Sequence, residues 1–248
     1  MKKTQAIFLL LALLLTSGCS SNAASQVPNE PSKETESRLG PENAYVLTID
    51  ADSMVIPQAA STESAIDLSN YDNILSNSTD IIYGVVETLE NFNGAGGTAW
   101  VKEQVRILES YKGQFSPETE ITVIQQTGYI SMNDYINSYA EEDREAIRNM
   151  MLQNISEEEA SNMVIDQTRG IPLDQVGDKI VFCLWISPQS TDETTYYEPV
   201  GDWAGKQVDM GNNTFAQFYP VKSSTGKAAS GNYEARSSEE MKALLKIH

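Results

Sequence analysis

The side chains best suited to covalent or acid/base chemistry are few in this 248-residue chain, and most stand where they cannot cooperate. The only histidine, His248, is the last residue printed. Chain ends are commonly frayed, so a Ser-His-Asp or Cys-His mechanism and a His-rich zinc site are poorly supported. Neither G-x-S-x-G nor a dinucleotide fingerprint occurs. The stretch "VKSSTGKA" fails as a phosphate loop, having Val221 where Gly or Ala is needed and Ala228 where Ser or Thr is needed. Ser224 and Lys227 satisfy S-x-x-K, but they lie in a Ser/Gly stretch without the helix and companion motifs that this chemistry uses. Cys183 lies within the continuous apolar run "IVFCLW" and reads as a small buried hydrophobe.

Carboxylates remain. Glu141, Glu142 and Asp143, and again Glu157, Glu158 and Glu159, form acidic runs beside helix starts, where they complement the positive helix end. The stretch "GDWAGKQVDMGNN" gathers Asp202, Asp209, Asn212 and Asn213 beside Trp203 without the spacing of a calcium loop. An aromatic and carboxamide loop of this kind can hold a glycan or a peptide, or it can be a structured turn. No residue set specifies a metal or another cofactor, and none is expected.

The elements that must position these groups begin with an address. Lys2 and Lys3 precede an unbroken apolar block from Ile7 to Leu15, too short for a membrane-spanning helix, which needs about 20 residues. The block ends in Leu15-Thr16-Ser17-Gly18-Cys19, which resembles the bacterial lipobox, with Thr16 where Leu is usual. The resemblance implies cleavage before Cys19 and acylation of its thiol, with two or three chains giving a stable anchor on the outer side of the cell membrane. Residues 1–18 are then a signal peptide. Residues 19–43, rich in Ser, Asn, Pro and Glu, read as a flexible tether, and residues 44–248 as one globular domain.

Loss of Lys2 and Lys3 from the 17 Lys+Arg, against 35 Asp+Glu, takes the formal charge from −18 to −20. Such an exterior disfavours nucleic acid and anionic surfaces. With Cys19 acylated, Cys183 is left without a disulfide partner.

The domain reads as α+β. A first short strand is expected at residues 44–50, and one or two short helices at residues 61–79. "DIIYGVVETLE" is β-branched and aromatic, with Ile81, Tyr83, Val85 and Leu89 expected on one face. The Gly/Asn cluster "NFNGAGG" turns the chain into "TAWVKEQVRILESYKG", where Val101, Val105 and Ile107 oppose Lys102, Gln104 and Arg106. "TEITVIQQTG" completes a three-stranded meander. A helical insertion is expected over residues 128–170, with starts at Ser131/Asp134 and Ser156/Glu159 and a stripe of Tyr135, Ile136, Tyr139, Ile147 and Met150. "DKIVFCLWI" returns as a central strand buried on both faces. "TTYYEPVGDW" and "TFAQFYPV" follow, and Ser237 with Glu240 opens a C-terminal helix whose Met241, Leu244 and Leu245 face inward.

A helix between strands three and four is the connectivity of an OB-like β-barrel, mainly antiparallel. The segments "STDIIYGVVETLE", "VRILESYKG", "TEITVIQQTG" and "GDKIVFCLW" are similar to a recurring pattern in largely uncharacterised secreted bacterial proteins and, distantly, to netrin/TIMP-like OB domains. TIMP-like inhibition does not carry over, because Cys19 would be acylated and the disulfides are missing. In OB-like barrels the exposed side of strands two and three usually meets the ligand, which selects Trp100, Lys102, Gln104 and Arg106, with Trp203 as a further partner-binding candidate. The expected activity is that of a non-enzymatic binding module at the cell envelope, meeting an envelope protein, a peptide or a glycan. An envelope hydrolase working with carboxylates alone, or a structural accessory subunit, are the competing classes.

Overall fold

Period-2 burial, rather than helical stripes, organises the structure, a computed structural model that describes residues 39–58, 66–220 and 232–245. In chain order the elements are β1 (Met54–Pro57), α1 (Tyr71–Asn77), β2 (Asp80–Gly94), β3 (Thr98–Lys112), β4 (Glu120–Gln125), β5 (Tyr129–Ser131), α2 (Met132–Asn137), α3 (Glu141–Met151), α4 (Glu157–Ser161), β6 (Met163–Asp166), β7 (Lys179–Ile186), β8 (Tyr196–Pro199), β9 (Lys206–Asp209), β10 (Thr214–Tyr219), β11 (Asn232–Ser237) and α5 (Ser238–Leu245). The expected first strand at residues 44–50 does not form. Tyr45 makes only an isolated bridge to Asn91, its hydroxyl donating to Asn93 Oδ1 at 3.0 Å, and the first strand comes later, at β1.

β2, β3 and β4 form the meander expected from the alternating pattern. β4 then pairs parallel with β8, β8 antiparallel with β7, and β7 antiparallel with β2, which closes a five-stranded barrel in the order β2-β3-β4-β8-β7. One parallel pairing among antiparallel ones, with the insertion between the third and fourth barrel strands, is the OB-like arrangement. From β7 the sheet continues outward through β9, β10 and β11.

The barrel interior holds Ile82, Val86, Val105, Ile107, Ile121, Val123, Ile180, Phe182 and Leu184. Val181 and Cys183, on the other face of β7, are buried in a second core with Ile74, Val200 and Met241, so this strand is covered on both sides as its unbroken apolar run requires. The same layering corrects the expected face of β2. Ile82 and Val86 fill the barrel, Ile81 and Tyr83 meet the second core, and register shifts near Gly84 and Thr88 change the parity before Leu89.

The insertion carries more than helices. β5 and β6 join β1 in a separate three-stranded sheet, with β1 and β6 parallel. Ser131 caps α2 by accepting from Asp134 N at 3.0 Å, and Ser156 with Glu159 forms the capping box at α4. The chain breaks near Ser138, so the expected single stripe is split: Tyr135 and Ile136 lie on α2, Ile147 on α3, and Met150 is exposed. The acidic runs occupy the first turns of α3 and α4. At the far end, Ser237 and Glu240 bracket the start of α5, and Met241 is buried.

Candidate functional site

Glu103 is the residue that breaks the barrel's apolar rule. The alternation of β3 points Ala99, Val101, Glu103, Val105 and Ile107 inward, and Glu103 is only 1% exposed. Gln125, the last residue of β4, points the same way and donates one hydrogen bond to Glu103 Oε1 at 2.5 Å and another to Asp174 Oδ2 at 2.9 Å. Asp174, from the segment that returns from the insertion to β7, also accepts from Lys206 Nζ at 2.5 Å. Asp174 and Lys206 are 6% and 7% exposed, so both charges are out of water.

Lys206 reaches this point because Gly205 precedes it. A Cβ at Gly205 would lie 2.7 Å from Val200 N, 2.8 Å from Val200 O and 2.9 Å from Cys183 O, all backbone atoms that cannot swing aside. Only glycine lets β9 start this close to the barrel.

Above these groups sits a second ion pair, Arg169 Nη1 to Asp202 Oδ2 at 3.4 Å. Both residues adopt left-handed backbone, Arg169 at φ 58° and Asp202 at φ 54°. Such conformations cost about 1–3 kcal/mol each in non-glycine residues and concentrate at functional sites. Together with Gln126, Thr127, Thr168, Ile171, Pro172, Leu173 and Trp203, these residues line a shallow pocket, partly open to solvent, whose volume of about 20 Å³ admits a water-sized group.

Burial, reinforced by the facing Asp174 carboxylate and opposed by Lys206, holds the Glu103 carboxyl well above the usual carboxylate range. Its protonated form is therefore favoured more than that of a surface carboxyl. Burial also raises Asp202, against the pull of Arg169. The pocket is in this way charge-compensated although the chain as a whole is strongly acidic. Arg169 Nε, buried at its edge, lacks a hydrogen-bond partner, whereas Glu103 faces the Asp174 carboxylate, to which its protonated form donates.

Trp203, expected from the sequence, forms one wall of the pocket with its ring 5.1 Å from that of Tyr219. Of its expected companions, Asp202 lines the same pocket and the other three are separated from it. β9 carries Asp209 away to accept from the Tyr83 hydroxyl at 2.5 Å, and Asn212 and Asn213, at φ 53° and 61°, make the tight turn into β10. Trp100, Lys102, Gln104 and Arg106 share the outer face of β3 and line no part of the pocket. Trp100 stacks on Phe92 with ring centres 5.6 Å apart, Lys102 pairs with Glu90 at 2.9 Å, Gln104 bonds Thr122 at 3.1 Å, and Arg106 pairs with Glu87 and Glu118.

Glu103, Gln125, Asp174 and Lys206 were not selected by sequence reasoning. One signal was available: Glu103 occupies the apolar parity of β3, between Val101 and Val105. Cys19, the Ser224/Lys227 motif and His248 lie outside the described residues. Among the described residues no helix is long and apolar enough to cross a membrane, and no group of three or more His, Cys, Asp and Glu side chains is placed to hold a metal ion. Compared with models of known families, with curated proteins and with solved structures, the chain matches none. The OB-like class therefore rests on strand order and pairing.

Proposed function

We propose that this chain is a non-enzymatic binding module, held at the outer side of the cell membrane through lipid on Cys19, that holds a neutral hydroxyl- or amide-bearing ligand, a glycan before a peptide, against the mouth of the pocket at the barrel end. The observation that carries the reading is the Trp203 ring beside the Arg169 and Asp202 pair in a charge-compensated pocket, where the buried Arg169 Nε is a donor that no neighbour accepts. A hydroxyl group both donates and accepts, so it can meet the Arg169 and Asp202 pair without bringing an uncompensated charge. An indole face adds apolar area for a sugar ring. The outer-face residues support the pocket reading indirectly, since Lys102, Gln104 and Arg106 bond to neighbours and Trp100 stacks on Phe92.

The test is calorimetric titration of the purified protein with soluble cell-wall glycan fragments. Saturable binding that is lost in Trp203→Ala and kept in Trp100→Ala is expected. An absence of saturable binding, or binding that Trp203→Ala leaves unchanged, overturns the reading. The neutral Glu103 beside Asp174 favours one second reading, the carboxylate-based hydrolase, because a protonated carboxyl can act as a general acid. Turnover of the same fragments that Glu103→Gln abolishes would select it.

A further inference from the structure

The Lys206, Asp174 and Glu103 cluster has the parts needed to make a covalent bond within the protein itself. Nζ of Lys206 touches the Asp174 carboxyl at 2.5 Å, with no room for water between them. Gln125 holds the Glu103 and Asp174 carboxyl groups side by side by donating to both. Ile171, Pro172, Trp203, Val208 and Phe218 surround the Lys206 and Asp174 end with mostly apolar surface. We propose that Lys206 and Asp174 are joined by an intramolecular isopeptide bond between Nζ and Cγ, with Glu103 relaying the proton during its formation.

The step balances without a co-reactant. The step begins as a proton passes from the ammonium to the carboxylate across their direct contact, giving a free amine facing a carboxylic acid. The Nζ lone pair then attacks Cγ while the Glu103 carboxyl protonates the carbonyl oxygen. Collapse breaks one Cγ–O bond, the oxygen departs as water with two of the hydrogens first carried by Nζ, and Glu103 recovers its proton. One amide and one water replace one ammonium and one carboxylate. Burial keeps Glu103 in the protonated form that the relay needs.

The bond has a structural purpose. Cys183 is free and buried, so no disulfide fastens the described residues. A link between positions 32 residues apart would tie the returning end of the insertion to β9, restricting the unfolded chain as a disulfide does and fixing the pocket floor.

Tryptic mass mapping of the full chain reads the bond directly and is independent of any ligand, so its outcome is distinguishable from that of the binding reading. The expected species joins residues 170–179 to residues 180–222, uncut after Lys206 and lighter than the two peptides by one water. Glu103→Gln and Lys206→Arg, each checked for strand content by circular dichroism, should restore the separate peptides. Recovery of residues 170–179 unlinked, with residues 207–222 released by cleavage after Lys206 in the folded wild-type protein, overturns the proposal. Retention of the link in Glu103→Gln removes Glu103 from it.

Discussion

The two faces of β3 place charges in opposite circumstances. Outside, Lys102 and Arg106 meet Glu90, Glu87 and Glu118 where solvent screens them, with Lys102 20% and Glu90 39% exposed at the side chain. Inside, Glu103 meets Gln125 and Asp174 beside Lys206, almost fully withdrawn from water. The outer pairs are the ordinary furniture of a solvated sheet and contribute little. The inner cluster is costly to assemble, and a barrel of this size can exclude it simply by placing Val or Ile at position 103, as it does at its neighbours on the same face. The contrast teaches that a β-strand's outward polar residues say little about function, whereas one inward carboxyl says a great deal.

The sharpest way to break this contrast is to remove one partner on each face. Lys206→Ala leaves the Asp174 carboxylate buried beside Glu103 and should destabilise the fold by about 3–5 kcal/mol in urea denaturation. Lys102→Ala, which unpairs Glu90 at the surface, should cost about 0–1 kcal/mol in the same assay. Equal losses from the two variants would show that the inner pair is solvated and ordinary.

Gly205→Ala tests how Lys206 is placed. The added methyl meets only backbone atoms of Val200 and Cys183, so β9 must move, at about 1–3 kcal/mol in denaturant melts and with weakened ligand binding at the pocket. A neutral effect would mean that β9 does not depend on the close approach.

A third prediction uses pH. The Glu103 carboxyl in the folded protein stays protonated through the range, about pH 4.3, where it ionises in the unfolded chain. Folded molecules therefore hold more protons there, and the stabilisation present at low pH is lost as pH rises from about 4 towards the folded value. Glu159 and Glu240 act in the opposite sense, because their capping contacts lower them and their contribution fades as pH falls. The pH slope, rather than the absolute stability that loss of the Lys206–Asp174 link also lowers, reads the first effect: the wild-type melting temperature should fall more steeply with rising pH than that of Glu103→Gln. Parallel profiles would place an ionised Glu103 in the barrel.

The smallest expected effect belongs to the outer face. A Trp100→Ala, Arg106→Ala double variant that remains folded should recover the same partners from envelope extract as the wild type, and loss of a partner would return recognition to that surface.

Much of the barrel was legible because its strands obey period 2 and its helices carry caps. β2, β3 and β4 could be read from alternation, β7 from its unbroken apolar run, and α4 and α5 from Ser-x-x-Glu. The sheet of β1, β5 and β6 was not, because β1 and β6 have four residues each, β5 has three, and a parallel pairing between Met54 and Met163 leaves no local trace. Residues 44–50 looked like a strand and instead lie against the hairpin at Tyr45, where one bridge replaces a ladder. The site was half legible. Trp203 stood out by type, and Glu103 carried a parity signal that went unused, but nothing local marks Asp174 or Lys206, which meet only because the return from the insertion and the branch to β9 converge on one barrel end.

Chemical-shift mapping of the isotope-labelled protein during titration with cell-wall glycan fragments compares the two faces in a single experiment. Pocket recognition requires saturable shifts at Gln126, Thr168, Arg169, Asp202 and Trp203, while Trp100, Gln104 and Arg106 stay still. Saturable shifts confined to Trp100, Lys102, Gln104 and Arg106, with the pocket unmoved, would contradict it.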